Sequence, residues 1–479
     1  MLDISAPPFI FPCLVAGQTL DRSPRIEVRY PYTGEVVGSV PSLGEEDVVR
    51  AIRLAAASPS ELSRWERSQV LLRAAARIES EAESVARLIT WESGLCRRDT
   101  RHEVQRTLDV LRFAAAEALR DDGQCFSFDV SPNGRARKGY TLREPVPLVT
   151  AITPFNHPLN QVAHKVAPAV AAGAAMVLKP SEKTPLSAIY LAAVLHEAGL
   201  PPNRLNVVTG DPQVLGPLLV NHPDVAVVAF GGGVEIGKRI AAQLGYRRTI
   251  LELGGNDPLI ILADADLGAA VRRAVQGCYA NSGQRCTAVK RLIVAEPLAD
   301  ELARRFDEAS AAIRVGDPHD DATEMGTVIS EDAAKQLEML ANATIKSGAA
   351  LLFGNRRQGA LYGPTVLDHV APTAPSVVTE AFGPHAPILR VKDEGEAIRV
   401  ANGTAYGLSA GVCTRDLGVA LRCVRELRCG TVNVGEVPGY RTEATPFGGI
   451  KDSGIGVKEG VVEAMKAMTY TKLYSIPWE

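Results

Sequence analysis

The sequence Leu148-Val149-Thr150-Ala151-Ile152 opens the part of the chain that decides the fold. Similar short runs of β-branched and apolar residues follow it, and stretches of helical composition separate each run from the next. The later runs are Ala175-Met176-Val177-Leu178, Leu205-Asn206-Val207-Val208 and Val225-Ala226-Val227-Val228-Ala229-Phe230. Strands that alternate with helices are typical of βαβ units, so this region is predicted to form a parallel sheet.

A second series of apolar runs begins after Asn256 and predicts another α/β domain, with a boundary near Gly254-Gly255. Its runs include Leu259-Ile260-Ile261-Leu262, Arg291-Leu292-Ile293-Val294 and Ile388-Leu389-Arg390-Val391. The region before residue 148 is helix-rich, with the spacing of surface helices at 44–57, 65–88 and 102–119. At 479 residues the chain exceeds the usual size of a single core, so two or three domains are expected.

Composition indicates a soluble enzyme of the cytoplasm. A formal net charge of −3 gives no electrostatic basis for binding nucleic acid. The 8 cysteines are scattered, with no Cys-x-x-Cys pair and no histidine spacing for zinc, so we expect a reducing compartment and no metal site. The longest apolar run, residues 166–178, contains Pro168 and Gly173 and is too short to span a membrane. The N-terminus lacks a basic lead, which argues against a signal peptide.

One cysteine and one glutamate stand out from this background. Cys286 follows Asn281-Ser282-Gly283-Gln284-Arg285, and Glu252 lies in Leu251-Glu252-Leu253-Gly254-Gly255. A single cysteine is more often a small buried residue than a nucleophile, but a Gln-Arg pair is unusual in a packed strand. A thiol beside a cation can form a thiolate, and an isolated carboxylate can accept a proton. The pair therefore predicts covalent catalysis.

Two further motifs follow predicted strands. Residues 230–237 form a glycine-rich turn before a helix, where backbone N–H groups can hold a phosphate. The turn lacks the usual spacing of three dinucleotide-binding glycines, and a tight structural turn explains it about as well. Lys179-Pro180-Ser181-Glu182 follows another strand and predicts either contacts to a ribose or an exposed ion pair.

Taken together, these segments resemble the aldehyde dehydrogenase family from about residue 26 to the C-terminus. The motifs that carry the resemblance, in the family's order and spacing, are Pro154-Phe155-Asn156-His157-Pro158, Lys179-Pro180-Ser181-Glu182, the glycine turn, Leu251-Glu252-Leu253-Gly254-Gly255, Gly283-Gln284-Arg285-Cys286, Glu380-Ala381-Phe382-Gly383-Pro384 and Pro446-Phe447-Gly448-Gly449.

The resemblance implies three catalytic residues. Cys286 is expected to attack the aldehyde and form a thiohemiacetal, and Asn156 with the Cys286 backbone N–H is expected to hold the oxyanion. Glu252 is expected to activate the water that hydrolyses the resulting thioester. A CoA-acylating dehydrogenase usually lacks that glutamate, and a binding or structural protein has no need of all three residues.

The resemblance also implies an NAD site. Glu182 favours NAD, because a carboxylate accepts hydrogen bonds from a free 2′-hydroxyl and repels a 2′-phosphate, although Lys183 softens that repulsion. The family commonly has Thr and Ser where this chain has Gly231 and Gly233, so hydroxyl contacts to the pyrophosphate are expected to be missing. The expected cofactor-binding residues are Lys179, Ser181, Glu182, Phe155, Gly232, Gly233, Gly237, Leu253, Glu380 and Phe382.

Cations near the expected catalytic pocket predict a short aldehyde with an anionic tail, since guanidinium groups bind carboxylate or phosphonate in a forked geometry. The alternative is a set of surface ion pairs. Within the family these segments look most like phosphonoacetaldehyde dehydrogenases, which make phosphonoacetate. Phosphonoformaldehyde, sulfoacetaldehyde and succinate semialdehyde remain open as other substrates. The expected substrate-binding residues are Arg106, His157, Arg285, Arg441 and Thr445.

The implied architecture is α/β, with a Rossmann-like NAD-binding domain at 1–122 and 144–253 and a catalytic domain at 254–445. A returning helix at 446–464 is expected to pack on the first domain. Residues 123–143 and 465–479 are expected to be oligomerisation segments, because 469–474 alternates polar and apolar residues and such tails pair with a neighbouring subunit in the family. A homodimer or homotetramer is expected.

Overall fold

The computed structural model describes residues 2–59, 61–457 and 459–478. Short strands come first in the chain: β1 (Phe9–Ile10), β2 (Cys13–Val15), β3 (Gln18–Leu20), β4 (Arg25–Arg29) and β5 (Val36–Pro41). The helix-rich region follows: α1 (Glu45–Ala56), α2 (Arg64–Ser80), α3 (Ala82–Ser93) and α4 (Arg97–Ala118). The single helix predicted at 65–88 is therefore two helices. Glu81, at φ −114° and ψ 16°, leaves the helical conformation between them.

The predicted parallel sheet is confirmed. A hairpin of β6 (Cys125–Ser127) and β7 (Arg137–Pro145) precedes it. The helices between the strands of this sheet are α5 (Asn160–Ala172), α6 (Leu186–Glu197), α7 (Pro212–Asn221) and α8 (Val234–Gln243). Its parallel strands are β8 (Leu148–Ile152), β9 (Ala175–Lys179), β10 (Leu205–Val207), β11 (Val227–Gly231) and β12 (Arg248–Glu252).

The strand order creates a crevice at one edge of this sheet. The order is β12-β11-β8-β9-β10-β2-β3, so the chain runs outward from β8 in one direction and then returns to build β11 on its other side. Such a reversal opens a crevice outside the carboxyl ends of the two central strands, where α/β proteins bind ligands. The segments after Ile152 and after Gly231 lie at this crevice.

The second predicted α/β unit is also confirmed. Its sheet has the order β15-β18-β19-β14-β13-β20-β21, with only β15 antiparallel to its neighbour. Its strands, with a separate two-stranded ribbon β16-β17, are β13 (Asp257–Ile261), β14 (Val289–Ala295), β15 (Ala350–Phe353), β16 (Arg357–Gln358), β17 (Leu361–Tyr362), β18 (Thr365–Asp368), β19 (His385–Val391), β20 (Ser409–Cys413) and β21 (Thr431–Val434). The helices are α9 (Leu267–Tyr279), α10 (Glu296–Ala311), α11 (Glu331–Lys346), α12 (Pro375–Val378), α13 (Glu394–Asn402) and α14 (Leu417–Glu426).

Buried apolar side chains form separate clusters in the two α/β units, the first built on the sheet that contains β8 and the second on the sheet that contains β13. The clusters of the first unit lie within residues 4–253 and take in Val461 and Met468, and those of the second lie within 259–427. The break falls in the loop between Glu252 and Asp257. This separation supports the division proposed at residue 254. No helix in the described ranges is long and apolar enough to cross a membrane.

The C-terminal segment differs from prediction in two ways. The returning helix is only α15 (Val461–Ala467), and residues 446–457 form a loop with one short 3-10 turn, because glycines at positive φ interrupt the segment. The last strand, β22 (Thr469–Pro477), pairs antiparallel with β7 of the same chain, from Thr469 opposite Pro145 to Pro477 opposite Arg137. The hairpin also continues beyond the predicted end at residue 143, to Pro145.

Candidate active site

The loop before Cys286 has an unusual backbone. Asn281, Ser282 and Gly283 all lie in the left-handed region, at φ 60°, 51° and 67°. Two contacts fix the first of them: the Asn281 N–H donates to the Asp99 carboxylate at 2.8 Å, and Nδ2 donates to the Asn156 carbonyl at 2.8 Å. Non-glycine residues pay a steric cost in this region, and such conformations persist where surrounding contacts enforce them. The loop therefore holds Cys286 in a defined place.

The structure brings Cys286, Glu252 and Asn156 together. All three line one cleft of about 270 Å³, which reaches the crevice at the carboxyl ends of β8 and β11. Each arrives from a different element, since Glu252 ends β12 and Asn156 follows β8. The other lining residues are Pro154, Phe155, Gln161, Gly231, Gly232, Gly233, Leu253, Gly254, Glu380, Phe382 and Phe447.

The cation beside Cys286 does not activate it as the sequence suggested. Arg285 turns away, and its Nη2 donates to the carbonyls of Gln276 and Gly277 at 3.4 and 3.1 Å. Burial raises the pKa of the Cys286 thiol to about 12, and the cation that opposes this rise is Lys290. Without substrate and cofactor the thiol is therefore protonated at neutral pH.

Glu252 is a buried carboxylate without a hydrogen bond. Among the described residues neither of its oxygens has a partner. Burial, and then the nearby charge of Glu459, raise the pKa of Glu252 well above its usual value, while Lys165 and Arg441 oppose the rise. Lys165 and Glu459 form a buried ion pair behind it. The raised pKa makes the carboxylate form of Glu252 a stronger acceptor for a proton from a water molecule.

Asn156 is held so that one donor stays available. Its side-chain Nδ2 donates to the Gln284 carbonyl at 2.9 Å, and its own carbonyl accepts from Asn281. An amide nitrogen carries two hydrogens, so the second can serve an oxyanion. The contacts with Gln284 tie this donor to the loop that carries the thiol.

The glycine turn lies on the other side of the cleft, at the N-terminus of α8. Gly232 and Gly237 are tightly packed, because a Cβ on Gly232 would lie 2.6 Å from the Phe230 ring and one on Gly237 would overlap Leu253. Gly233 is different: no atom lies within 4 Å of a Cβ built there. The turn is thus partly structural, as the alternative interpretation held, but it leaves open space at Gly233.

The other cofactor candidates cluster at the same sheet edge. Lys179 ends β9, is buried, and lies 3.5 Å from the half-exposed Glu182 carboxylate. The Ser181 hydroxyl accepts from the Lys183 N–H, which stabilises the turn after the strand. Burial lowers the pKa of Lys179, and Glu182 opposes that shift.

Two aromatic rings close the catalytic end of the cleft. Phe155 and Phe382 pack edge to face with centroids 5.8 Å apart. Glu380 forms an ion pair with the buried Lys290 and accepts from the Gly255 N–H at 3.2 Å. These residues line the cleft together, whereas Lys179, Ser181 and Glu182 lie outside it at the adjacent strand end.

The five substrate candidates are not among the described residues that line the cleft. Arg106 and Arg441 both face Glu443, and His157 lies 3.4 Å from Glu103. The Thr445 hydroxyl is exposed and donates to the Thr442 carbonyl. The three arginines and His157 already have carboxylate or carbonyl partners, so their role in binding a substrate stays a prediction.

Several residues of the site were missed from the sequence. Lys290 and Lys165 sit in apolar runs, where a buried lysine is unusual enough to be a signal. Phe447 stands in the motif Pro446-Phe447-Gly448-Gly449, but it was given no role. No local pattern marked Gln161, Glu443 or Glu459, and the two glutamates come from the far end of the chain. The missed residues are Gln161, Lys165, Lys290, Glu443, Phe447 and Glu459.

The comparison with known families agrees with this geometry. Residues 19–474 match the model of the aldehyde dehydrogenase family. The chain belongs to the aldehyde dehydrogenase family. It is therefore an oxidoreductase that acts on aldehydes, as its sequence predicted.

Named relatives of this aldehyde dehydrogenase act on different aldehydes. Aspartate-semialdehyde dehydrogenase 1 of Pseudomonas canavaninivorans is 38% identical over 94% of this chain and 96% of its own length. Sulfoacetaldehyde dehydrogenase of Neptuniibacter caesariensis is 39% identical over 85% of this chain and 89% of its own length.

Solved aldehyde dehydrogenases confirm the fold. Aldehyde dehydrogenase 21 of Physcomitrella patens, bound to the reaction product succinate, has a TM-score of 0.95 at 34% identity and 98% coverage of both chains. An NADP-dependent glyceraldehyde-3-phosphate dehydrogenase of Bacillus halodurans, with NADP, has a TM-score of 0.95 at 36% identity over 98% and 100%. An NAD-dependent enzyme of Sinorhizobium meliloti has a TM-score of 0.94 at 34% identity over 99% and 96%. Structural neighbours thus use either NAD or NADP.

Proposed function

We propose that this chain uses NAD to oxidise a short aldehyde with an anionic tail to its carboxylate, through a thioester on Cys286. The observation that carries the proposal is the single cleft lined by Cys286, Glu252 and Asn156. A nucleophile, a proton acceptor and an oxyanion donor that meet in one buried space fit acyl chemistry.

In the first step the Cys286 sulfur attacks the carbonyl carbon of the aldehyde. The thiol loses its proton to solvent or to Glu252, and the carbonyl π pair moves to oxygen. The free Nδ2 hydrogen of Asn156 stabilises that oxyanion, and one such donor contributes about 3 kcal/mol. The product of this step is a thiohemiacetal on Cys286.

The residues present fit a nicotinamide dinucleotide. The open space at Gly233, the N-terminus of α8 and the Lys179–Glu182 pair lie along one sheet edge, where a pyrophosphate and a ribose find donors and acceptors. When bound, the cofactor supplies the acceptor for the hydride of the thiohemiacetal. Glu182 supports a preference for NAD over NADP, since its carboxylate repels a 2′-phosphate.

Glu252 completes the cycle in this proposal. Its carboxylate takes a proton from a water molecule, the hydroxide attacks the thioester carbon, and the Cys286 thiolate leaves as the carboxylic acid forms. A raised pKa suits a general base that works near neutral pH. A glutamate in this place favours hydrolysis over transfer of the acyl group to CoA.

The proposal that the substrate has an anionic tail depends on the cations near the cleft. The Arg441 guanidinium stacks 4.2 Å from the ring centroid of Phe447, which lines the cleft. Relatives named for a sulfonated aldehyde and a semialdehyde support this substrate class. Phosphonoacetaldehyde, favoured by the sequence motifs, belongs to the same class and remains our specific proposal, with phosphonoformaldehyde, sulfoacetaldehyde and succinate semialdehyde as alternatives.

We also propose self-association, as a homodimer or homotetramer, in the cytoplasm. The strand β22 is an edge strand that exposes large apolar side chains, which supports pairing with a second copy. The exposed residues are Tyr470, Leu473, Tyr474 and Ile476 in the strand, and Trp478 just after it. Light scattering of the purified chain at several concentrations tests this point.

The deciding experiment measures reduced cofactor formed by the purified protein from a panel of aldehydes without CoA. We expect phosphonoacetaldehyde, sulfoacetaldehyde and succinate semialdehyde to exceed neutral propionaldehyde in kcat/KM, with NAD preferred to NADP. Cys286→Ala should abolish turnover but keep cofactor binding, whereas Cys278→Ala, which removes a buried thiol outside the cleft, should retain it. A higher kcat/KM for propionaldehyde, or turnover only with CoA, would refute the proposal.

A further inference from the structure

Glu443 occupies an unusual position between two cations and a histidine. Its side chain is 4% exposed, and its two oxygens accept from Arg106 Nε at 2.5 Å and Nη2 at 3.3 Å. His164 Nε2 lies 2.5 Å from one of them, and Arg441 Nη2 lies 3.8 Å away. The carboxylate therefore joins α4, α5 and the loop after β21.

Each arginine has a donor nitrogen that the described contacts with Glu443 do not use. In the described contacts Arg106 donates to Glu443 through Nε and Nη2, and Nη1 takes no part in this interaction. Arg441 is 11% exposed, stacks on the cleft residue Phe447, and has a buried Nη1 with no partner among the described residues. A buried unpaired guanidinium donor beside the cleft is a place for a substrate anion, because leaving it unpaired costs free energy.

The charges of this group leave a single positive charge. Two guanidinium groups share one carboxylate, and His164 is neutral because burial lowers its pKa. Although burial opposes it, the hydrogen bond from His164 and the charge of Arg106 hold the pKa of Glu443 below its usual range. His102 faces Arg106 from the same helix, and burial with that charge lowers its pKa as well.

The surrounding ionisable groups have partners of their own. Lys165 is paired with Glu459 on the α5 side, and His157 faces Glu103. Arg285, whose charge also acts on Arg106, is opposed by the charge of Asp99 and donates to the carbonyls of Gln276 and Gly277. We therefore take the charge offered to the tail as that of the group Arg106, Arg441 and Glu443.

We propose that Glu443 is a specificity-determining positioning residue that restricts the substrate tail to one negative charge. This inference rests on the proposed function, since it requires an anionic tail at the two arginines. A monoanion, such as a carboxylate, a sulfonate or a singly protonated phosphonate, neutralises the remaining charge. A dianionic phosphonate brings a second charge that no cation of the group compensates, and an uncompensated buried charge is strongly unfavourable.

The test compares two substrates of matched shape across pH. Sulfoacetaldehyde carries one charge throughout, whereas phosphonoacetaldehyde loses its second proton near neutral pH, as phosphate esters do. We measure the ratio of their kcat/KM values, so that ionisations of the enzyme common to both substrates cancel. In the wild type the phosphonate-to-sulfonate ratio should fall about tenfold as the phosphonate becomes a dianion, because like charges at an interface disfavour binding.

Glu443→Gln should remove that fall or reverse it, because both arginines then carry uncompensated charge. Glu436→Gln on the same loop, whose carboxylate accepts only from the Val437 N–H in the described contacts, is the matched control and should behave as wild type. Turnover of propionaldehyde by Glu443→Gln checks that the variant is folded. If Glu443→Gln does not fold, the test rests on the wild-type phosphonate-to-sulfonate ratio and on Glu443→Asp. The aspartate keeps the negative charge, so its ratio should still fall as pH rises.

The inference would be overturned if the wild-type phosphonate-to-sulfonate ratio of kcat/KM stayed flat or rose with pH. It would also be overturned if the ratio for Glu443→Gln depended on pH as the wild-type ratio does. Both results leave the proposed function standing if the anionic aldehydes still exceed propionaldehyde. If propionaldehyde is the better substrate at every pH, the proposed function fails and the inference fails with it.

Discussion

At Cys286 and Glu252, one physical effect raises two pKa values. Both side chains are removed from water, and burial disfavours the thiolate and the carboxylate alike. The nearby cations, Lys290 for the thiol and Lys165 for the carboxylate, oppose the shift without cancelling it. The proposed nucleophile and base should therefore both become active as pH rises.

Glu252→Gln should change how the reaction depends on pH. Only the unprotonated carboxylate accepts a proton from water, so in the wild type the hydrolysis of the thioester should accelerate as pH rises toward the raised pKa of Glu252. In the variant we expect one burst of reduced cofactor per active site, then slow turnover without this acceleration. Stopped-flow absorbance between about pH 6 and 9 measures both phases. A variant with a normal steady-state rate would exclude Glu252 as the base.

Gly233 offers a gain of function. It lies at the N-cap of α8 with φ −68° and ψ 149°, which a serine adopts without strain, and there is open space around its Cβ. Gly233→Ser should cap the helix, stabilising it by roughly a few tenths of a kcal/mol. It should also add a hydroxyl contact and lower the Kd for NAD severalfold, as measured by calorimetry. Gly232→Ser is the control and should weaken binding, because its Cβ meets the Phe230 ring.

At the scale of elements, the loop 281–286 shows how neighbours enforce a strained backbone. Two non-glycine residues in the left-handed region cost roughly 1–2 kcal/mol each. Asn281 is fixed by Asp99 on α4 and by Asn156 after β8, and the Ile329 N–H donates to Gln284 Oε1 at 2.9 Å. The thiol is thus positioned by three separate parts of the chain.

Gly283→Ala should disrupt this loop more than strain alone explains. A Cβ there would overlap the backbone of Gly383, which cannot move aside easily. We expect a loss of activity of at least about tenfold, since small displacements at a reacting centre are costly. Gly359→Ala is the control: Gly359 has a similar φ of 57° but open space, so it reports the conformational cost only. Equal effects of the two substitutions would contradict the argument from packing.

At the scale of the whole molecule, the C-terminal segment returns to complete the first unit. Val461 and Met468 join the core of that unit, and Glu459 forms a buried ion pair with Lys165, 294 residues earlier. The pair lies behind Glu252, so the end of the chain contributes to the electrostatics of the site. Although burial opposes it, Lys165 lowers the pKa of Glu459.

Lys165→Met should lower stability markedly, because it leaves Glu459 as an uncompensated buried charge; removal of one partner of a buried pair costs about 3–5 kcal/mol. Lys472→Met breaks the exposed pair with Glu144 and should cost less than about 1 kcal/mol. Thermal unfolding followed by circular dichroism compares the two. A smaller loss for Lys165→Met than for Lys472→Met would show that the buried pair does not hold the segment in place.

The sequence by itself determined the α/β fold and the chemistry of the family. The runs at 148–152 and 175–178 became β8 and β9 because a central parallel strand is buried on both faces and must be apolar along its length. Cys286, Glu252 and Asn156 could be proposed as catalytic residues because each sits in a short local motif, and the structure places all three in one cleft. The break at Glu81 and the short returning helix were not found, since a single residue outside the helical conformation leaves little periodic signal.

Only the tertiary structure decided the direction and the partners of the charged side chains. The sequence placed Arg285 beside the thiol, yet the backbone of the loop turns its guanidinium to the carbonyls of α9. Glu443 meets Arg106 across 337 positions of the chain, a distance over which no local pattern reports a contact. Side-chain partners depend on direction and burial, which the fold sets, whereas strand and helix periods depend on neighbours along the chain.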